Sequence, residues 1–152
     1  HSIRVWAILD GARDEQIYQM VLGYGGEKCC LYAGTLHPEL ERAAPHLVRL
    51  EDADDPFVRE LISRSWGESW GVYFQAETTL AEVRKHLRTL LRVNDEAGRK
   101  LVFRYYDPRV LRAFLPTCDP SQLKQMFGPG KRFVMEGEDP RTVIQYKFDS
   151  GK

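Results

Sequence analysis

The segment 100–116 constrains the fold most, because its pattern changes from that of a strand to that of a helix at a single point. Residues 101–106 are rich in Val, Phe and Tyr, which are typical of a half-buried strand. Asp107 can accept a hydrogen bond as the N-cap of a helix, and Pro108 fits a first helical turn, where its missing N–H is not needed. Apolar residues then recur at helical spacing, so we predict a strand over 101–106 followed by a helix over 108–115.

Strand-like and helix-like patterns alternate along the rest of the chain as well. The further predicted strands are 3–9, 29–32, 46–50, 71–75, 131–136 and 142–148, the last two forming a terminal hairpin. The further predicted helices are 15–22, 38–44, 57–65, 79–92 and 120–127. This alternation predicts the α/β fold class, with a mixed β-sheet flanked by helices in a single compact domain.

Length and charge limit the classes of protein that need to be considered. The chain has 152 residues, which fits one domain; we assign it to 3–150 and interpret residues 1–2 as the remnant of an expression tag. Lys plus Arg and Asp plus Glu are both 22, so the basic excess of most nucleic-acid-binding proteins is absent. The sequence contains neither a long apolar run nor a signal-like segment, and we therefore expect a soluble, cytoplasmic protein without a membrane span.

The residues that usually bind metals or cofactors do not form a recognisable motif. Cys29, Cys30 and Cys118 lack the C-x-x-C spacing of zinc sites, and the histidines are not in an HExxH arrangement. We therefore predict no metal, no cofactor and no catalytic residue.

Two aspartates, Asp10 and Asp107, each come directly after a predicted strand. Residues at the ends of strands can meet at one edge of a sheet. Asp10 precedes Gly11 and Asp107 precedes Pro108, so a turn and a helix cap explain both residues without chemistry. Arginine forks from Arg104 and Arg109 can pair with these carboxylates and brace the edge of the sheet. The alternative interpretation is a small-ligand-binding enzyme domain that uses Asp10 and Asp107 at the strand ends.

Aromatic and arginine side chains are the residue types that contribute most to protein interfaces. Trp66 and Trp70 are four residues apart, and Arg84 and Arg88 lie on the polar side of the predicted helix 79–92. Core packing of the tryptophans and simple solvation of the arginines are the alternatives. We predict that these four residues form a partner-binding patch with an apolar centre and a charged rim.

Several segments of the chain resemble a known family of bacterial proteins. Besides 100–116, the segments that carry the resemblance are ILDGARD at 8–14, LYAG at 31–34, PELERAAPHLV at 38–48, WGV at 70–72 and LRTLLRV at 87–93. In this order they resemble the adaptor-chaperone family of type VI secretion.

The resemblance implies an activity that consists of binding. Proteins of this family act in the cytoplasm as non-catalytic chaperones that bind one toxic effector and help to load it onto the VgrG spike protein. They usually carry a second, mostly helical lobe, so the resemblance implies that this chain is the N-terminal lobe, either truncated or naturally short. It leaves open the identity of the effector and the oligomeric state.

Overall fold

The computed structural model describes residues 2–94 and 97–149, and within them the chain alternates strands and helices. The strands are β1 (Arg4–Asp10), β2 (Lys28–Cys30), β3 (Pro45–Leu50), β4 (Gly71–Ala76), β5 (Arg92–Asn94), β6 (Lys100–Val102), β7 (Gly130–Glu136) and β8 (Val143–Lys147). The helices are α1 (Glu15–Gly23), α2 (Pro38–Ala43), α3 (Pro56–Ser65), α4 (Leu80–Thr89), α5 (Pro108–Phe114) and α6 (Pro120–Phe127), with a 3₁₀ turn at Leu115–Thr117. Two terminal residues of these predictions lie outside the described residues. They are His1, which we interpret as part of a tag remnant, and Ser150, the last residue of the predicted domain.

The α/β fold class is confirmed, with helices on both sides of a six-stranded sheet of order β2-β3-β1-β4-β7-β8. Each neighbouring pair in this sheet is antiparallel. The connections through α1 and through α3 each join two strands of the same direction, but each connection passes over one strand of the sheet. The strand passed over runs the other way, so the parallel strands are not neighbours.

The two faces of the sheet bury separate clusters of apolar side chains, because successive residues of a strand point to opposite faces. On one face, Trp6 and Ile8 of β1 lie in a core shared with α4, α5 and α6. On the other face, Ala7 and Leu9 lie in a core shared with α1 and α3. The molecule is therefore a three-layer sandwich with the sheet in the middle.

The predicted strand 101–106 is wrong for most of its length. Only Leu101 and Val102 continue a strand, and β6 pairs with β5 in a separate two-stranded ribbon instead of joining the main sheet. Tyr105 and Tyr106 are fully buried in a turn, where the Tyr105 hydroxyl donates to the carbonyl of Leu87 at 2.9 Å. One apolar run thus serves an exposed ribbon and a buried turn, which periodicity alone does not distinguish.

The predicted helix 79–92 is shorter in the structure. Thr79 is its N-cap, but α4 ends at Thr89, and Leu90 and Leu91 form a tightened last turn with N–H···O distances of 3.3 Å to Leu87 and Arg88. Both leucines turn inward and are buried, so the chain changes direction and Arg92 begins β5. The predicted terminal hairpin is confirmed as β7 and β8.

Candidate functional site

The first predicted site residue, Asp10, ends β1 as a buried carboxylate with only 1 % of its surface exposed. Its Oδ1 atom accepts from the backbone N–H of Ala12 at 3.0 Å. Its Oδ2 atom accepts from Nη2 of Arg104, 94 residues away in the chain. The pair therefore ties the end of β1 to the turn in front of α5.

Asp107 is the N-cap of α5, as the sequence predicts. Its Oδ1 atom accepts from the backbone N–H of Arg109 at 2.9 Å and from Nε of the same residue at 3.1 Å. Its Oδ2 atom accepts from Nη2 of Arg109 at 2.8 Å. Pro108 occupies the first helical turn and is buried.

The two carboxyl groups have pKa values shifted in opposite directions. Burial raises the pKa of Asp10, against the opposing effects of the Arg104 charge and the Ala12 N–H. Burial alone raises the pKa of Asp107 too, but the hydrogen bonds from Arg109 outweigh it and lower that pKa overall. Divergent pKa values are typical of acid–base pairs in enzymes. Here, however, all four carboxylate oxygens accept hydrogen bonds within the protein, which is the arrangement of a brace.

Further contacts extend this brace to the end of β7. Arg104 lies over the ring of Tyr106, 5.3 Å from its centroid. Arg112 donates to the carbonyl of Glu136 at 3.3 Å, and the Glu136 carboxylate accepts from the backbone N–H of Ser69 at 3.2 Å. The ends of β1 and β7 and the start of α5 are thus held together by polar contacts.

Trp66 and Trp70 both lie on the face of the sheet that packs against α1 and α3. Trp70 is only 4 % exposed and belongs to the core. Trp66 is half-buried, and its indole N–H donates to the carbonyl of Pro140 at 2.6 Å. The structure therefore offers the Trp66 edge, and little of Trp70, to a partner.

Arg84 and Arg88 lie on α4, which packs against the opposite face of the sheet. Arg88 donates from Nε to the carbonyl of Leu31 and from Nη2 to the carbonyl of Cys30, both at 3.1 Å. The sheet separates these arginines from the two tryptophans, so the four residues do not form one patch. Partner binding by either pair stays a prediction.

A groove that sequence reasoning missed lies between the β5–β6 ribbon, α4 and the segment after β2. We call it the ribbon groove; its volume is about 430 Å³. Its lining residues are Leu31, Tyr32, Ala33, Leu36, Leu40, Arg88, Leu91, Arg92 and Val102. The sequence carries only a weak signal, which does not locate the groove: Leu36 lies among turn residues, and Leu40 lies on a short helix that is otherwise mostly polar.

Metal-binding clusters and membrane-spanning helices are both absent from the residues that the structure describes. Across residues 2–94 and 97–149, no group of three or more His, Cys, Asp or Glu side chains has the geometry to bind a metal ion. Across the same residues, no helix has both the length and the apolar composition to cross a bilayer. Cys29, Cys30 and Cys118 are free thiols.

Comparison with known proteins gives one match. The profile of a family described as Domain of unknown function (DUF4123) matches residues 5–125. No curated protein and no solved structure matches the chain.

Proposed function

The chain belongs to the DUF4123 family, and from this membership we propose that it is a non-catalytic adaptor that binds a type VI secretion effector and helps to load it onto the VgrG spike. The observation that carries the proposal is the range of the family match. All the segments that resemble type VI adaptor-chaperones fall within it, from ILDGARD at 8–14 to the segment 100–116.

The polar cluster at the end of β1 supports binding rather than catalysis. A general acid or base must reach the substrate proton directly or through one water molecule. The oxygens of Asp10 and Asp107 are instead engaged by Arg104, Arg109 and backbone N–H groups, and Asp10 is buried. We therefore assign these residues to the scaffold and propose that the adaptor binds its partners through its surface. From the resemblance to type VI adaptor-chaperones we also propose that it works in the cytoplasm.

The proposal is tested in two steps. First, the tagged chain is purified from its own cells, and the proteins that elute with it are identified by mass spectrometry. Second, the effector found in this way and the VgrG protein are purified separately and titrated with the chain by calorimetry. We expect saturable binding of the effector, with its mass unchanged, and joint elution of all three proteins in size-exclusion chromatography.

Two outcomes contradict the proposal. One is that neither the effector nor VgrG binds the intact, folded chain. The other is a small molecule that native mass spectrometry finds in the purified chain and that Asp10→Asn or Asp107→Asn removes. This second result would favour the small-ligand-binding alternative.

A further inference from the structure

The ribbon groove combines a mostly apolar lining with two arginines that form no salt bridge with any described residue. We infer that it binds a short acidic, amphipathic segment of the effector, in which apolar side chains fill the groove and Asp or Glu side chains meet its arginines. The identity of the partner rests on the proposed function. The chemistry of the segment rests on the groove itself.

The apolar part of the groove is open to solvent. Leu40 is 47 % exposed and Val102 is 55 % exposed, while Leu31, which also lines the groove, is fully buried. Six of the nine lining residues are Leu, Val or Ala. A concave surface of this composition and a volume of about 430 Å³ suits a few apolar side chains of a partner.

The charged side chains described in the groove are positive. Among the described lining residues, Arg88 and Arg92 are the only charged ones, and Arg84 and Lys85 lie on the same helix as Arg88. Among the described residues, no carboxylate forms a salt bridge with any of these four cations. Arg104 and Arg109, by contrast, both pair with aspartates.

The position of Arg88 is fixed before any partner binds. Two of its N–H groups donate to the carbonyls of Cys30 and Leu31, which hold the guanidinium against the wall of the groove. A guanidinium has five N–H donors, so others remain for a carboxylate. A fixed guanidinium loses less conformational freedom on binding than a mobile one.

The ribbon places a cation and an apolar residue side by side. Arg92 and Val102 are direct partners in the β5–β6 register, so their side chains lie on the same face of the ribbon, and both line the groove. Val93 and Leu101 form the next pair and lie on the other face, also exposed. An isolated two-stranded ribbon is marginally stable in water, and a partner that covers its apolar residues would stabilise it.

The test uses the effector from the preceding experiment, in calorimetric titrations of wild type and four variants. Val102→Asp and Arg92→Glu alter the apolar and the charged part of the groove at exposed positions. Leu22→Asp and Lys131→Glu are matched controls; Leu22 is 60 % exposed on α1, on the far side of the sheet, and Lys131 is exposed on β7. Thermal melts establish that each variant is folded, and Leu40→Asp replaces Val102→Asp if the latter is not.

We expect both groove variants to weaken effector binding by about tenfold or more and both controls to bind as wild type does. Added salt should weaken wild-type binding, and Arg92→Glu should reduce this salt dependence. On an array of overlapping peptides that spans the effector, the peptides that bind wild type but not Val102→Asp should contain apolar residues together with Asp or Glu.

Several results would overturn the inference. Groove variants that bind the effector as wild type does would exclude the groove while leaving the proposed function intact. Selection of basic peptides, or binding of a fluorescent oligonucleotide that Arg92→Glu abolishes, would show that the groove takes a different ligand. A wild-type dimer that Val102→Asp dissociates would assign the groove to a second copy of this chain. If neither wild type nor any variant binds the effector, the proposed function is overturned. The inference that the ribbon groove binds a segment of that effector is then overturned with it.

Discussion

At the scale of single residues, Asp107 joins two stabilising roles in one carboxylate. It caps α5 and holds Arg109 by three hydrogen bonds, while it is itself nearly buried. Asp14 is a useful comparison, because it caps α1 through a single bond to the N–H of Gln16 at 2.9 Å in an exposed setting. The two aspartates therefore separate the effect of a cap from that of a cap with an ion pair.

We expect Asp107→Ala to lower the free energy of unfolding by about 2 kcal/mol, against about 1 kcal/mol for Asp14→Ala. Asp107→Asn should cost less than Asp107→Ala, since Asn is a good N-cap but lacks the charge. Urea unfolding of the three variants measures these differences. If Asp107→Ala unfolds as wild type does but no longer binds the effector, Asp107 belongs to a binding site and not to the scaffold.

Two histidines, His46 in the interior and the half-buried His86, make the stability depend on pH. Burial lowers the pKa of His46 and of His86, although each ring donates a hydrogen bond, at 2.8 Å, to the carbonyl of Glu41 or Met126 respectively. In the unfolded chain both take up a proton near the ordinary pKa of about 6.5. The unfolded state thus binds protons first as the pH falls, so stability decreases below about pH 6.5 until the lowered native pKa values are passed.

Urea unfolding at about pH 7.5 and about pH 5.5 measures this loss. His86→Gln is expected to be less stable than wild type at the higher pH, but to lose less on acidification. Equal losses in wild type and His86→Gln would show that His86 does not contribute to the pH dependence.

At the scale of elements, the pairing of β1 with β4 depends on a residue without a side chain. A Cβ atom at Gly71 would lie 2.1 Å from the carbonyl oxygen of Ile8, which is backbone and cannot move aside without disturbing β1. Gly25 has no atom within 4 Å of such a Cβ and serves as the control. We expect Gly71→Ala to cost about 2–3 kcal/mol of stability and Gly25→Ala less than about 0.5 kcal/mol, measured by urea unfolding. A Gly71→Ala variant as stable as wild type would contradict the close approach of the two strands.

Elements with strong local signals were predictable from the sequence, and those set by long-range contacts were not. Asp14, Thr79 and Asp107 lie at helix starts where short polar side chains and the following residues already indicate a cap. The segment 101–106 carries residues of high strand propensity. Leu101 and Val102, however, pair only with β5, and Tyr105 packs against α4. Such partners are distant in the chain, so no local pattern contains them.

The same limit applies to the candidate sites. The pairing of Arg104 with Asp10 was predictable from the residue types alone. A buried carboxylate requires a hydrogen-bond donor, and arginines lie near the end of the predicted strand 101–106. The ribbon groove was not predictable, because it is assembled from the segment after β2, from α4 and from the β5–β6 ribbon. The prediction of a single patch was wrong for the residues Trp66, Trp70, Arg84 and Arg88. Their sequence positions do not reveal on which face of the sheet each helix packs.

At the scale of the whole molecule, the sheet is shared by two cores that do not touch except through it. Leu61 of α3 is fully buried in one core, and Leu87 of α4 is fully buried in the other. Four strands of the sheet, β1, β3, β4 and β7, contribute alternate residues to both cores. Loss of either helical layer therefore exposes one face of strands whose other face still belongs to the remaining core. We therefore expect the two cores to unfold as one cooperative unit.

Leu61→Ala and Leu87→Ala test this coupling with the same substitution on each side of the sheet. Each is expected to lower the free energy of unfolding by about 2–5 kcal/mol, since each removes a fully buried side chain. Tryptophan fluorescence and far-ultraviolet circular dichroism should report coincident urea transitions in both variants, because Trp6 lies in one core and Trp70 in the other. If the fluorescence transition of Leu61→Ala instead occurs at a lower urea concentration than its circular dichroism transition, the layer of α1 and α3 unfolds separately and the two cores are independent.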